Sequence, residues 1–248
     1  MLFPWSGFFE LVASTDVFVH LDDVQFSKGG FTNRIQIKHQ SGSKWLTIPL
    51  RGKGQFQKIS DLAAVGADWK DTHRDLVRQS LAAAPYLASA LDLLDSAYAR
   101  EPLIELLIAS IEVTTNKLAL NGPKRWERSS ELAVDGSSWE RVLSIVKAVG
   151  GTRYLTAHGA ANYLNHAAFD DAGIAVEYMD YSKTIYRQLH GDFTPFVSIL
   201  DIIANLGPDA RNVISPKTVP WRTFLGAMNG DGLLGIPPAQ NGSQTHDV

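Results

Sequence analysis

Apolar positions recur with two different periods along the chain, and the switches between them mark its elements. Phe8, Leu11 and Val12 fall at helical spacing behind Pro4, which predicts a short N-terminal helix. Val17–Leu21 is a β-rich run that ends at Asp22 and Asp23. It reads as a buried strand whose polar end lies where open α/β sheets gather ligand groups. Ile35–Lys38 alternates, Gln40–Ser43 interrupts, and Trp45–Ile48 resumes until Pro49, the signature of a hairpin with a several-residue turn. From Asp68 to Leu120 the period turns helical: Trp69, His73, Leu76, Val77 and Leu81 share a face. Pro85 and Pro102 divide this stretch into three helices, and Asn121-Gly122-Pro123 stops the last.

The second half repeats a helix–strand rhythm. Ser137 and Glu140 have the spacing of a capping box, and Gly150-Gly151 ends the helix they start. Arg153–Ala157 reads as a strand, about Ala160–Asp170 as a helix and Ile174–Met179 as a strand. That order is the βαβ pattern of a parallel sheet. A last helix is predicted from a Thr194 cap, with Pro195 in its first position, to Gly207. Apolar Phe196, Ile199, Leu200, Ile202, Ile203 and Leu206 cover most of its circumference, leaving Ser198, Asp201 and Asn205 as one polar stripe. The pattern predicts an α/β fold with a Rossmann-like, mostly parallel sheet, a β-hairpin insertion near Ile35–Ile48 and a helical insert at about 68–120. One domain spans 1–212. The pattern decays past Val213, and residues 213–248 are expected to form an extended, largely disordered tail, rich in Gly, Pro, Asn, Gln and Ser from Gly230 on.

Composition narrows the function. Hydrophobic residues at 45% and charged residues at 20% suit a globular chain and exclude a disordered one. No cysteine occurs, so disulfides, thiolate catalysis and Cys-ligated zinc are excluded, and a cytoplasmic location fits. No apolar run approaches the roughly 20 residues of a membrane span. Met1–Trp5 carries neither a basic start nor a small-residue cleavage site. A net charge of −3 gives no general attraction to DNA. Its distribution says more. No acidic residue lies between Asp23 and Asp61, whereas Lys28, Arg34, Lys38, Lys44, Arg51, Lys53 and Lys58 do. The stretch is either a hairpin with solvated basic faces or a pocket for phosphate, carboxylate or a nucleoside diphosphate. Phe26, Phe31, Trp45 and Phe56 are interleaved with it, as core or as stacking surfaces.

Three further features bear on chemistry. Asp201, on a mostly buried helix, needs partners because desolvation is costly; its stripe is either a solvent face or a wall of a substrate site. Gln188, between Tyr186 and Gly191, has a carboxamide suited to a sugar hydroxyl or a base. Asp22 and Asp23 are either a capped turn or a site where Mg²⁺ meets ligand phosphates. The histidines do not cluster: His73 lies on an apolar helix face, and His158 follows a strand. No nucleophile elbow, Walker loop or dinucleotide fingerprint occurs.

Several motifs, in order, are similar to the WbqC-like family. They begin with Phe3-Pro4-Trp5-x-Gly7-Phe8-Phe9 and Asp16-Val17-Phe18-Val19-x-Leu21-Asp22-Asp23-Val24-Gln25-Phe26-Ser27-Lys28. Asn33-Arg34, Trp45–Pro49, Ser129–Leu132, Tyr154-Leu155 and Tyr163-Leu164 follow, then Gly173-Ile174-x-Val176, Tyr186-x-Gln188-x-x-Gly191-x-Phe193 and Ser198–Asp201. The resemblance covers about Leu2 to Gly207. It implies a cytoplasmic transferase of bacterial surface polysaccharide (O-antigen) synthesis, joining a glycyl or other acyl group to an amino sugar on a nucleotide carrier. Under that reading Asp201 is the catalytic base, assisted by Ser198. Lys28 and Arg34 bind phosphate, and Asp22 or Asp23 binds ribose or metal, with Mg²⁺ the candidate cofactor. Gln25, Asn33, Tyr186 and Gln188 complete the substrate-binding set. The partners are the sugar nucleotide and an acyl donor the sequence does not name. The alternatives are an Mg²⁺-dependent nucleotidyltransferase and a non-catalytic sugar-nucleotide-binding module. Two departures stand out. Relatives begin with a short strand and a Gln-Pro-Asn-type segment ahead of Phe-Pro-Trp, which implies either a missing first strand or a true protein that starts upstream of Met1. They also carry Ser-Gly where this chain has Thr156-Ala157.

Overall fold

A computed structural model describes residues 1–52 and 56–230. In chain order the elements are α1 (Ser6–Ala13), β1 (Val17–His20), β2 (Arg34–His39), β3 (Gly42–Thr47), α2 (Asp68–Ser80), α3 (Leu87–Tyr98), α4 (Leu103–Lys117) and β4 (Arg125–Arg128). Then come α5 (Ser138–Ala148), β5 (Arg153–Thr156), α6 (His166–Asp171), β6 (Ala175–Met179), α7 (Ile199–Leu206), β7 (Thr218–Pro220) and α8 (Trp221–Gly230).

The class is mixed α/β with some parallel pairing, but the single mostly parallel sheet that the pattern predicts is not what the strands build. They form three small sheets: β1 with β4 in parallel, the β2–β3 hairpin, and β5–β6–β7. In the last, β5 and β6 are parallel and β7 joins β6 antiparallel. Among the described residues, β1 and β5 each pair on one edge only. A cavity of ≈570 Å³ separates them, lined by consecutive residues of both strands and by Val142, Ile145, Val146 and Val149. Connectivity alone does not close a sheet; the facing edges must come within about 5 Å of each other.

Two hydrophobic cores result. The larger joins the hairpin, α1–α4 and α7 through residues such as Phe9, Ile35, Leu46, Leu94, Leu107 and Leu200. The smaller surrounds β6 with Val146, Phe169, Val176, Tyr178 and Phe224. The hairpin turn is tighter than predicted: β2 and β3 are joined by Gln40 and Ser41 alone, and Gly42 supplies a positive φ of 96° after them. The segment after 213 departs from the expected extended tail. β7 adds an edge to β6, and α8 lays Phe224 flat on Tyr178 with ring centroids 4.1 Å apart. Apolar Val219, Trp221, Phe224 and Leu225 drive this packing despite the surrounding Gly and Pro. The remainder of that tail, 231–248, lies outside the described residues. No helix among the described residues is long and apolar enough to cross a membrane.

Candidate functional site

Alternation along β2 puts Ile35 and Ile37 into the core and leaves Arg34, Gln36 and Lys38 on the other face. The irregular segment 180–198 runs over that face. Lys38 is buried, and its ammonium donates to Gln188 Oε1 (3.2 Å), to the Gly191 carbonyl (3.0 Å) and to the Asp192 carbonyl. The Gln36 carbonyl accepts the Ser198 amide at 2.8 Å. The acid-depleted stretch and the late Ser–Asp helix therefore meet. Lys38, however, has its three donors engaged by neutral oxygens and is a clamp on the segment rather than an open anion site.

The exposed part of this meeting is aromatic and cationic. Arg34 donates to the Gly30 carbonyl at 3.0 Å and to that of Gly29, which holds its guanidinium over the Trp45 ring, 4.2 Å from the centroid. Trp45 lies 5.5 Å from Phe31, ring to ring. Opposite them, Trp5 packs on Phe196 at 5.4 Å, and the Lys183 ammonium sits 5.8 Å over the Phe196 ring. Gly7 makes room for Trp5: a Cβ there would come within 2.2 Å of the indole. Phe31, Arg34, Gln36, Trp5, Phe196 and Ser198 bound a shallow cleft of ≈10 Å³, not the deep pocket that the charge pattern suggests.

Behind the cleft lies a buried polar cluster. Tyr186 donates its hydroxyl to Asp201 Oδ1 at 2.7 Å, and Gln188 Nε2 donates to the Tyr186 oxygen at 2.7 Å. Gln188 also bonds the Thr194 backbone both ways, at 2.9 and 3.0 Å. Asn205 Nδ2 reaches the Asp201 carbonyl and Oδ1 at 2.8 and 3.2 Å. Burial raises the Asp201 pKa, against the Tyr186 hydrogen bond and the charge of Lys38. Its Oδ2 is buried with no partner among the described residues. Burial, then the Asp201 charge, pushes Tyr186 up as well.

Ser198 is not on a helical stripe. The helix begins at Ile199 rather than beside Pro195, and Ser198 is its N-cap. Its Oγ accepts the Leu200 amide at 3.3 Å and donates to the Phe3 carbonyl at 2.9 Å. Thr194, the predicted cap, is held by Gln188 instead, and the chain makes a turn at Pro195-Phe196 before Ser198 rather than starting the helix there. Ser137 makes no side-chain cap bond at the start of α5 either, although that helix begins as predicted.

Asp22 and Asp23 stand apart from this cluster. Asp22 Oδ1 accepts Ser129 Oγ (3.2 Å) and the Ser130 amide (3.0 Å), and Oδ2 accepts Ser130 Oγ (2.7 Å). Asp23 accepts Ser129 Oγ and pairs with Arg141 at 2.5 Å. Burial pulls the Asp23 pKa up, but the Ser129 and Arg141 bonds outweigh it and leave it lowered. This donor set does not suit Mg²⁺: the Arg141 guanidinium already sits at the Asp23 carboxylate, and serine hydroxyls and a backbone amide already bond Asp22. Asn33 is buried and donates to the Ile48 carbonyl at 2.9 Å, pinning the hairpin base. Gln25 and Lys28 are exposed, and Gln25 bridges Lys58 through the backbone. Lys53 lies outside the described residues. Sequence reasoning passed over Arg141 and His20, whose Nε2 lies 3.1 Å from Glu112 Oε1, and saw Ser129 and Ser130 only as part of a motif without a site role. Each meets its partner across some ninety to 120 positions, and no local pattern signals such a contact.

A model of the WbqC-like protein family matches residues 1–213. The chain is 32% identical over 214 residues to an uncharacterized protein of Mycobacterium tuberculosis (strain ATCC 25618 / H37Rv), Rv1507c, covering 85% of this chain and 93% of that protein. No solved structure matches.

Proposed function

The chain belongs to the WbqC-like protein family, and on that footing we propose that it is a transferase of bacterial surface-polysaccharide synthesis that acylates the amine of a nucleotide-linked sugar. The observation that carries this reading is the Arg34 guanidinium held over the half-exposed Trp45 beside Phe31, at the mouth of the α7 cleft. A sugar nucleotide offers a flat base and a diphosphate, and exposed rings next to an arginine suit both. In the transfer the sugar nitrogen attacks the donor's carbonyl carbon. The N–C bond forms, the bond to the leaving group breaks with its electron pair going to that group, and the amine proton passes to a base. Asp201 is the candidate base, reached through the Tyr186 hydroxyl that it orients. Ser198 holds the cleft floor to Phe3.

Thermal-shift and calorimetric titrations with UDP-, dTDP- and GDP-linked amino sugars test it. One of them is expected to raise the melting temperature, and Arg34→Ala or Trp45→Ala to weaken it about tenfold or more, the loss of a charge-assisted contact. With an acyl donor supplied, Asp201→Asn should keep the ligand and lose turnover. Mg²⁺-dependent pyrophosphate release would identify nucleotidyl transfer instead. Binding without turnover would identify a binding module, and no shift with any sugar nucleotide would end the proposal.

A further inference from the structure

The acid-free stretch carries its charge without internal partners. Lys28, Arg51 and Lys58 are exposed, and the ion pairs of the described residues all lie outside 24–60. Two short segments hold these cations side by side. The Ile59 amide donates to the Val24 carbonyl at 3.0 Å and the Phe26 amide to the Gln57 carbonyl at 2.8 Å, and Gln25 bridges Lys58 antiparallel. Phe26 packs against the larger core, so alternation leaves Gln25, Ser27, Phe56 and Lys58 on the solvent side. Phe56 is 71% exposed, more than any other ring among the described residues. Gln57 Nε2 donates to the Arg51 and Gly52 carbonyls at 3.0 and 3.2 Å, which keeps Arg51 beside the same strip.

The strip runs to the mouth of the α7 cleft. Beyond Lys28 the chain turns at Gly29-Gly30, whose carbonyls accept the Arg34 guanidinium, and Arg34 covers Trp45 next to the exposed Phe31. The exposed groups thus follow one another along one surface, from Phe56 through Lys28 to the cleft. A solvated phenyl and three unpaired cations stabilise nothing within the chain. They suit a ligand with flat apolar faces and closely spaced negative charges, which is the description of a single-stranded nucleic acid. An anionic bilayer would call for a group of protruding apolar side chains; here one ring stands among cations and the polar Gln25 and Ser27. An acidic protein would match the charge and leave the ring unused.

We propose that this strip binds the single-stranded 3′ end of an RNA, and that this RNA carries the acyl group of the transfer as an ester on its terminal ribose. The assignment of a donor rests on the transferase reading above; the binding of the strand does not. Phosphates lie along Lys28, Arg51 and Lys58, a base stacks on Phe56, and Gln25 offers its carboxamide to a base edge. The strand then ends at the cleft mouth, on the side where the sugar amine enters. There the sugar nitrogen attacks the ester carbonyl carbon. The C–N bond forms, and the ester C–O bond breaks with its electron pair on the ribose oxygen. The proton given up by the amine passes through the base to that oxygen, leaving a free ribose hydroxyl.

The test is fluorescence anisotropy of the full chain with a labelled single-stranded RNA of about ten nucleotides, repeated over a salt series. The logarithm of the affinity is expected to fall against that of the salt concentration with a slope of about −2, the value for three phosphate contacts on a single strand. Phe56→Ala should weaken binding about tenfold at every salt concentration and leave the slope intact, and Phe56→Trp should restore it. Lys28→Ala combined with Lys58→Ala should cut the slope to about −0.7. All these positions are exposed, so the variants keep the fold. The same RNA annealed into a duplex should bind more weakly, its bases no longer open to the ring. Absent binding, binding that ignores Phe56→Ala, or equal competition by inorganic polyphosphate overturns the proposal. So does sedimentation with phosphatidylglycerol vesicles in place of RNA binding. With an RNA charged at its 3′ end with a radiolabelled amino acid, the label should pass to the sugar nucleotide that the titrations above identify. The double lysine variant should then raise KM for the RNA and leave kcat and sugar-nucleotide affinity unchanged. RNA and sugar nucleotide both bound without passage of label would overturn the donor assignment. RNA binding without sugar-nucleotide binding would sink the transferase reading alone, and the converse would sink only the RNA strip.

Discussion

The two hydrophobic cores bury similar groups by different means. The larger is mostly aliphatic, with Leu94, Leu106, Leu107, Ile199 and Leu200 between α3, α4 and α7 and rings such as Phe9 and Trp69 at its margins. The smaller is centred on stacked rings, with Tyr178 on Phe224, Tyr154 on Phe169 at 5.6 Å and His166 on Trp221 at 4.7 Å, and Val146, Ile174 and Val176 around them. Each core hides a histidine against a tyrosine hydroxyl at 2.8 Å, His73 with Tyr98 in one and His166 with Tyr178 in the other. Many interlocking aliphatic contacts spread a loss over many neighbours, whereas a stack concentrates it in one. The smaller core should therefore fail first when α8 is loosened.

The largest effect is expected from Phe224→Ala. Removing a buried phenyl costs about 3–5 kcal/mol, and urea melts followed by near-UV dichroism should show the second core losing order ahead of the first. Leu94→Ala should cost about 2–5 kcal/mol without separating the two transitions. If both variants melt in one step with equal losses, the contrast between the cores disappears.

Acid should reach both cores through their histidines. Burial lowers the pKa of His73 from 6.5 to about 4, and that of His166 in the same direction. The folded state holds His73 neutral, so the unfolded chain binds more protons between these values. Stability from this group is complete above pH 6.5 and is lost as the pH falls toward about 4. The loss amounts to about 3 kcal/mol. His73→Gln should flatten the stability profile in that window, and an unchanged slope would show that the acid sensitivity resides elsewhere.

How much of this was legible in the sequence depended on where each element's stability comes from. The helices of the insert carry their own period and their own prolines, and their bounds follow from Pro85 and Pro102. β4 reads Arg125-Trp126-Glu127-Arg128 and has no strand pattern of its own; pairing with β1 makes it a strand. β7 is likewise made by β6. In the site, Tyr186, Gln188 and Asp201 were legible because polar groups on an apolar background need one another. Their clamp, Lys38, was legible only as one positive charge among seven. Arg141, which claims Asp23, lies 118 positions away in the chain, beyond any local pattern.

Smaller effects refine the comparison at its edges. Asn33→Ala removes the bond to Ile48 and leaves a buried carbonyl without a donor, at a cost of about 1–3 kcal/mol, measurable by urea titration. Arg74→Ala breaks an ion pair with Asp95 on the rim of the larger core. Both partners are more than a third exposed by side chain, so the loss should stay under about 1 kcal/mol and shrink further in added salt.

The gap between β1 and β5 has a practical consequence. Among the described residues each strand pairs on one edge only, and a free edge is a template for an extended peptide that reaches it. An extended peptide long enough to bond both edges would join the two sheets through one backbone ladder, and its binding is expected to raise the melting temperature.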